Sequence, residues 1–217
     1  MTFWDILMAL AKGAGYTILV TIASIGAGLA IGLLMAVLSR LQWKPVALFL
    51  AVYLYVFRSV PVLVLLFIVF FGLPGIGIRI PPFTSMVLSL GLVSGAYLAE
   101  IFRGAMSAVD QDEILAAEAM GMNRIQSFLY IILPQMFRMS IPGMINEFTS
   151  VLKYTPFAYT VGIPEIMKEA MSLAAVTLRG VEIYLAVGII YFVIYKLFVM
   201  FFMVLEKKFR IPGLAAR

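Results

Sequence analysis

Arg58, Glu100, Asn146, Glu147, Thr149 and Lys153 are polar or charged side chains set in stretches otherwise too apolar to welcome them. An ionisable group in hydrocarbon is costly and marks a functional hypothesis by default. Asn146, Thr149, Ser150 and Lys153 recur at helical spacing, so they share one face. Such a face cannot meet lipid and is expected to line an interior or a wet cavity. Arg58 precedes Pro61, where a helix must kink. Arg58 and Glu100 carry opposite charges and are expected to pair. The available chemistry is charge recognition rather than covalent catalysis. The chain has no histidine and no cysteine, which removes the usual general base, the commonest metal ligand, a thiol nucleophile and any disulfide. It also lacks a Gly-x-x-x-x-Gly-Lys-Ser/Thr phosphate loop, so nucleotide chemistry would have to come from elsewhere. A membrane-embedded enzyme is disfavoured on the same grounds.

The elements that position these groups are membrane helices. Of 217 residues, 64% are hydrophobic and 12% charged, against about 25% charged in a soluble domain. Mean hydropathy is +1.08. This composition is that of an all-α integral membrane protein. Runs long enough to cross the hydrocarbon lie at 13–39, 59–78, 80–99 and 183–205. A further span at 125–152 is interrupted by Pro134, Arg138, Pro142 and Glu147, and hydropathy leaves it ambiguous. Five spans put the termini on opposite sides. Arg40, Lys44, Arg103, Arg124, Lys207, Lys208, Arg210 and Arg217 then share one side, and Lys12, Arg79, Lys168 and Arg179 the other. The positive-inside rule places the first group in the cytosol, with the N-terminus outside and the C-terminus cytosolic. The net charge of +5 follows from this topology and does not call for nucleic acid. No cleaved signal peptide is expected. No repeat or linker divides the chain, so 1–217 reads as a single transmembrane domain. Ser24, Gly28, Gly32 and Ala36 form a small-residue stripe on the first span, expected to pack within the chain. The aromatics Tyr191, Phe192, Tyr195, Phe198, Phe201 and Phe202 of the last span are expected to face lipid or pack.

A polar insert at about 104–130 interrupts this pattern. Asp110 followed by Glu113 predicts a capping box. Ala116, Ala117, Glu118 and Met120 favour helix, and Gly121 can end it in the left-handed conformation. The expected element is a helix of two to three turns. Ala116 and Ala117 would present little bulk, while Met120 and Met122 would add adaptable apolar contact.

Ala116-Ala117, then Gly121, then Ile132-Leu133-Pro134 resembles the EAA loop of permease subunits of ATP-binding-cassette (ABC) importers. The leading Glu of the family pattern falls on Leu115, with Glu113 and Glu118 nearby. Arg58-Ser59-Val60-Pro61, Phe71-Gly72-Leu73-Pro74, Gly95-Ala96-Tyr97, Ala99-Glu100-Ile101, Arg103-Gly104, Asn146-Glu147-Phe148, Leu152-Lys153, Leu205-Glu206 and Ile211-Pro212-Gly213 resemble further blocks of the polar amino-acid (histidine/glutamine/arginine-type) branch. This resemblance implies five helices of the small type I ABC permease fold and supplies the fourth span. It implies an ATPase-coupling set at Glu113, Leu115, Ala116, Ala117, Met120, Gly121, Met122 and Pro134. It implies a substrate pathway at Arg58, Tyr97, Glu100, Asn146, Glu147, Thr149 and Lys153, where Lys153 and Glu147 could face the carboxylate and ammonium of an amino acid. The family reads Lys-Asp-Thr-Ser where this chain has Lys153-Tyr154-Thr155-Pro156, and Pro156 should end the helix near Tyr154.

The implied partners are cytosolic ABC ATPase subunits, an extracytoplasmic substrate-binding protein, a second permease subunit (identical or paralogous) and membrane lipid. A short external helix from Pro164-Glu165 to about Val176 would meet the binding protein. ATP and Mg would sit on the ATPase partner, with no cofactor bound by this chain. The setting is the cytoplasmic (inner) membrane of a prokaryote, multi-pass. Two other readings stand beside this one: an ABC permease for another small nutrient such as methionine or an opine, and an ion-coupled secondary transporter. Inverted repeats often mark the latter, and none is evident.

Overall fold

A computed structural model describes residues 2–41 and 43–209. The Ile211-Pro212-Gly213 block, Arg210 and Arg217 lie outside the described residues. Helix α1 (Phe3–Leu38) opens on a capping box in which Thr2 and Asp5 bond each other's backbone N–H. At 36 residues it is about 54 Å long, well beyond the ~30 Å of hydrocarbon. The span expected at 13–39 therefore begins ten residues earlier. Lys12 lies inside the helix and does not mark its start.

Helix α2 (Lys44–Ser59) ends as Val60 turns extended ahead of Pro61, the conformation that proline imposes on its predecessor. Helix α3 (Val62–Phe67) follows at a 104° bend. It runs on through one π turn, Ile68–Gly72, and a 3-10 turn, Leu73–Ile76, which closes on Gly77 at φ +86°. The run at 59–78 is thus the second limb of a broken pair rather than a straight span, because Pro61 breaks the helix just after Arg58.

Helix α4 (Pro82–Ser107) starts with Pro82 in its first turn, where a missing N–H costs nothing. It continues past the expected end at 99, because the charges of Glu100 and Arg103 neutralise each other on its surface. The insert accordingly begins at 108 rather than 104. Helix α4 is the hub of the bundle. Ser24 and Ala36 of α1 are buried, and Gly28 and Gly32 let the two backbones close up against Ser94, Gly95 and Leu98. The small-residue stripe packs within the chain as expected. From α2, Tyr53 donates to the Leu92 carbonyl at 2.8 Å.

The insert holds α5 (Gln111–Ala119) and one turn, α6 (Arg124–Ser127). A π turn, Phe128–Ile132, leads into α7 (Leu133–Tyr154). Together α6, the π turn, α7 and a 3-10 turn (Thr155–Val161) form one apolar run, Arg124–Val161, long enough to cross. Both π turns end two residues before a proline, Pro74 and Pro134. Each ring removes a donor from the helical ladder, and the wider turn takes up the mismatch. Helix α8 (Ile166–Thr177) and helix α9 (Gly180–Phe209) complete the described residues. Counting the bent pair as one span, five candidate spans result.

Four apolar clusters lie in the bundle among the described residues, one of them around Leu152, Ile166 and Ile194. Ile6, Leu10, Ala170 and Ile183 pack one end. Val20, Leu66, Met86, Leu90 and Phe148 form the middle. Ala36, Leu98, Phe102, Ile132 and Met136 pack the other end, beneath the insert. Leu19, Ile22, Leu48, Tyr55, Leu197 and Phe201 point outward, as a lipid solvent allows.

Candidate functional site

The insert is a stiff unit. Asp110 caps α5 by accepting from the Asp112 N–H at 2.9 Å. The reciprocal half of the expected capping box is missing, because the Glu113 carboxylate instead accepts from the Gln135 amide on α7. A complete box forms one helix later, between Asn123 and Gln126. Gly121 takes the left-handed conformation at φ +85°. The Gly121 N–H donates to the Glu118 carbonyl at 2.9 Å and the Met122 N–H to Ala117 at 3.1 Å. That pair of bonds is a Schellman closure. Two caps and a side-chain tie therefore hold nine residues against α6 and α7.

Its two faces differ. Ala117, at 4% exposure, packs inward, so its small size serves this chain's own packing and not an outer surface. Ala116 points outward with Ala119, Leu115 and Met120. Leu115 is 60% and Met120 82% exposed, an apolar pair on a polar loop. Met122 is half-buried, and Pro134 lies in the first turn of α7.

A second constellation gathers where α2 meets α4. Glu100 is forked by Arg103, with both hydrogen bonds at 2.9 Å. Arg58 reaches the same carboxylate at 3.6 Å. The Arg58 guanidinium also lies 5.2 Å from the centre of the Tyr97 ring, a cation–π distance. The structure thus pairs Arg58 with Glu100 as the sequence suggests, and adds Tyr97 and, on Glu100, Arg103. An i, i+3 acid–base spacing was the signal for that partner.

The α7 stripe behaves differently. Thr149 and Ser150 both donate to the Asn146 carbonyl, at 2.8 and 3.0 Å. Asn146 and Lys153 are exposed on the outside of the chain, and the Lys153 ammonium lies 5.9 Å from the Tyr195 ring centre. Thr149 and Glu147 are buried, and Glu147 makes no ion pair with Lys153 among the described residues. The stripe is therefore split: Thr149 packs inward, while Asn146 and Lys153 at its ends project outward. Pro156 ends α7 at Tyr154, as expected.

One polar node escaped the sequence. Glu165 is fully buried and caps α8, accepting from Met167 N–H and Lys168 N–H at 2.8 Å each and from the Tyr191 hydroxyl at 3.0 Å. Thr17 of α1 accepts from the Ile166 N–H next to it. Burial pushes the Glu165 carboxyl above its ordinary range, and these hydrogen bonds oppose the push without cancelling it. Tyr191 thus faces inward while Phe192 and Phe201 face out. Pro164-Glu165 before an apolar run did mark the start of α8, but nothing marked Tyr191 as its partner. Among the described residues no cluster could hold a metal ion.

Comparison with known proteins gives this architecture a context. The chain is 35% identical over 203 residues to a probable amino-acid ABC transporter permease protein, YckA, of Bacillus subtilis, covering 91% of this chain and 88% of that one. It is 34% identical over 194 residues to the L-cystine transport system permease protein TcyB of Bacillus subtilis, covering 89% and 82%. It is 32% identical over 194 residues to the glutamine transport system permease protein GlnP of Escherichia coli, covering 88% of both. A crystal structure of an amino acid ABC transporter with histidines superposes with a TM-score of 0.87 at 30% identity, covering 96% of this chain and 99% of that chain. An inward-facing MetNI methionine transporter shares the fold at a TM-score of 0.77 and 16% identity, covering 95% and 99%. The family model described as binding-protein-dependent transport system inner membrane component matches residues 28–211. The capped insert, the broken second span and these matches agree: the chain belongs to the family of inner membrane components of binding-protein-dependent transport systems.

Proposed function

We propose that this chain is the permease subunit of an ATP-driven importer that moves polar amino acids across the cytoplasmic membrane. The observation that carries the reading is α5, a doubly capped helix with Leu115, Ala116 and Met120 turned outward. A rigid element transmits displacement where a flexible loop would absorb it. In this reading α5 docks on a cytosolic ATPase subunit, which holds ATP and Mg, and passes nucleotide-driven closure to α4 and α7. The relatives' amino-acid, L-cystine and glutamine names support the substrate class.

The N-terminus faces out and the C-terminus faces the cytosol, because five spans put eight cations of the sequence (Arg40, Lys44, Arg103, Arg124, Lys207, Lys208, Arg210 and Arg217) on the side of the insert and four (Lys12, Arg79, Lys168 and Arg179) on the other. A second permease subunit covers the exposed edge of α7, so Asn146, Ser150 and Lys153 face a shared pathway instead of lipid. That seam also brings the Arg58–Glu100 group within reach of substrate charges. An external binding protein delivers substrate at the α8 end.

The test is co-purification with the cognate ATPase, followed by ATPase activity with and without binding protein. Wild type should retain a stimulated ATPase, and Ala116→Arg or Met120→Asp should lose it while the chain stays folded. Amino-acid uptake into liposomes containing the chain without any ATPase would sink the proposal in favour of an ion-coupled transporter.

A further inference from the structure

Arg40 is the first charge after the uncharged run that begins beyond Lys12, and it borders a cavity of about 850 Å³ between the end of α1 and the insert. Arg124, at the start of α6, lines the same cavity. Neither arginine has an ion-pair partner among the described residues. Glu118 on the same wall leaves one net positive charge. Ser127 also lines it. That side chain is 3% exposed, and its hydroxyl makes no hydrogen bond. A buried hydroxyl without a partner is uncommon and calls for a missing one. Ser39 lines it too, but its hydroxyl already donates to the Ala36 carbonyl; the rest of the wall is apolar, with Val37 and Leu129 partly exposed on α1 and the π turn and Ile132 buried behind them. Leu129 and Tyr130 are themselves exposed there, at 46% and 70%. Trp43, 65% exposed just beyond the end of α1, suits an interfacial level.

Two cations, an unmet hydroxyl and an apolar wall opening to lipid match one ligand chemistry, a phosphate diester joined to hydrocarbon. We propose that the cavity between α1 and the α5–α6 insert seats the phosphate headgroup of an anionic phospholipid, tying the insert to the membrane surface. The single net positive charge suits a monoanionic diester. The apolar wall favours a lipid over free phosphate, which would leave that wall wet. The inference rests on α1 spanning the membrane and not on any ATPase partner.

The full chain, purified in neutral detergent, would be incubated with phosphatidylglycerol or phosphatidylcholine and the retained lipid counted by native mass spectrometry. Wild type should hold a phosphatidylglycerol that Arg40→Gln and Arg124→Gln each release about fivefold more readily, with phosphatidylcholine unaffected. Ser127→Ala should weaken retention without lowering thermal stability in lipid-free detergent, since its hydroxyl has no partner to lose. A competition arm adds inorganic phosphate and glycerol phosphate. If these displace the lipid stoichiometrically at low concentration, free phosphate is the ligand and the lipid assignment falls. Equal phosphatidylglycerol retention by wild type and the Arg40→Gln/Arg124→Gln double variant, both folded by thermal melt, would overturn the site altogether. Because no ATPase is present, this result is independent of the coupling experiment.

Discussion

Gly32 of α1 presses so closely on Leu98 of α4 that a β-carbon added to the glycine would lie 2.7 Å from the leucine's own. One turn earlier, a β-carbon on Gly28 would meet the Ser94 hydroxyl at 2.0 Å. The two clashes differ in what can give. The Ser94 Oγ can rotate away, whereas at Gly32 the obstacle includes the Ala99 N–H nitrogen at 3.2 Å and the Gly95 carbonyl at 3.2 Å. Gly32→Ala should therefore destabilise the chain by about 1–3 kcal/mol, and Gly28→Ala by less. Combining Gly28→Ala with Ser94→Gly should recover most of the smaller loss. Thermal melts in detergent decide it; equal damage at the two positions would contradict the backbone contact at Gly32.

Glu100 serves two arginines, so simple charge exchange should fail. In an Arg58→Glu/Glu100→Arg variant, the new arginine faces Arg103. Uptake should stay low in that double variant and recover only when Arg103→Glu is added. The pairing energy itself should be small, below about 1 kcal/mol, because both partners are partly exposed. Full rescue by the double exchange alone would show that Arg103 is a bystander.

On α5, function and folding should separate by face. Ala117→Arg buries a long cation against α6 and should lower the melting temperature. Ala116→Arg and Met120→Asp lie outward and should leave it unchanged while releasing the ATPase. Gly121→Ala forces a β-carbon into the left-handed region and should cost about 1–2 kcal/mol. A matching drop in stability for all four variants would mean that the outward face is not free.

Glu165 gives a pH signature. Its folded carboxyl is held above the ordinary range while the unfolded one is not. Between those two values the folded chain holds more protons, so its stability should fall as pH rises through that window. Tyr191 and Glu169 are the titratable neighbours that bear on it. Glu165→Gln removes the ionisation and should flatten the slope of melting temperature against pH. Parallel curves for wild type and variant would show that Glu165 is not the group responsible.

Much of this was legible in the chain. Gly121, the helix before it, the start of α8 and the end of α7 at Pro156 all follow from local backbone chemistry, and the Arg58–Glu100 pair follows from opposite charge in a greasy setting. What was not legible depends on distance or on ladder geometry. A π turn adds one residue to a helical repeat, so side chains beyond Ile132 are rotated by roughly 100° from the wheel drawn through α6. Hydropathy over 125–152 averages across that slip and blurs. Tyr191 and Glu165 are brought together only by packing of α9 against α8. The outward set of Asn146 and Lys153 depends on α7 sitting at the edge of the bundle, which no local pattern encodes.

Helix α1 reaches both ends of the molecule. Near its start, Gly13 and Thr17 lie against Glu165 and Ile166; just past its end, Arg40 borders the insert. From Gly13 and Thr17 to its end at Leu38 the helix runs about 35 Å, so its insert end swings by about 0.6 Å for each degree of tilt about that contact. It cannot shorten, so any displacement of the insert that reaches α1 must appear at the far face as a lean, with Glu165 and its hydrogen bonds as the pivot.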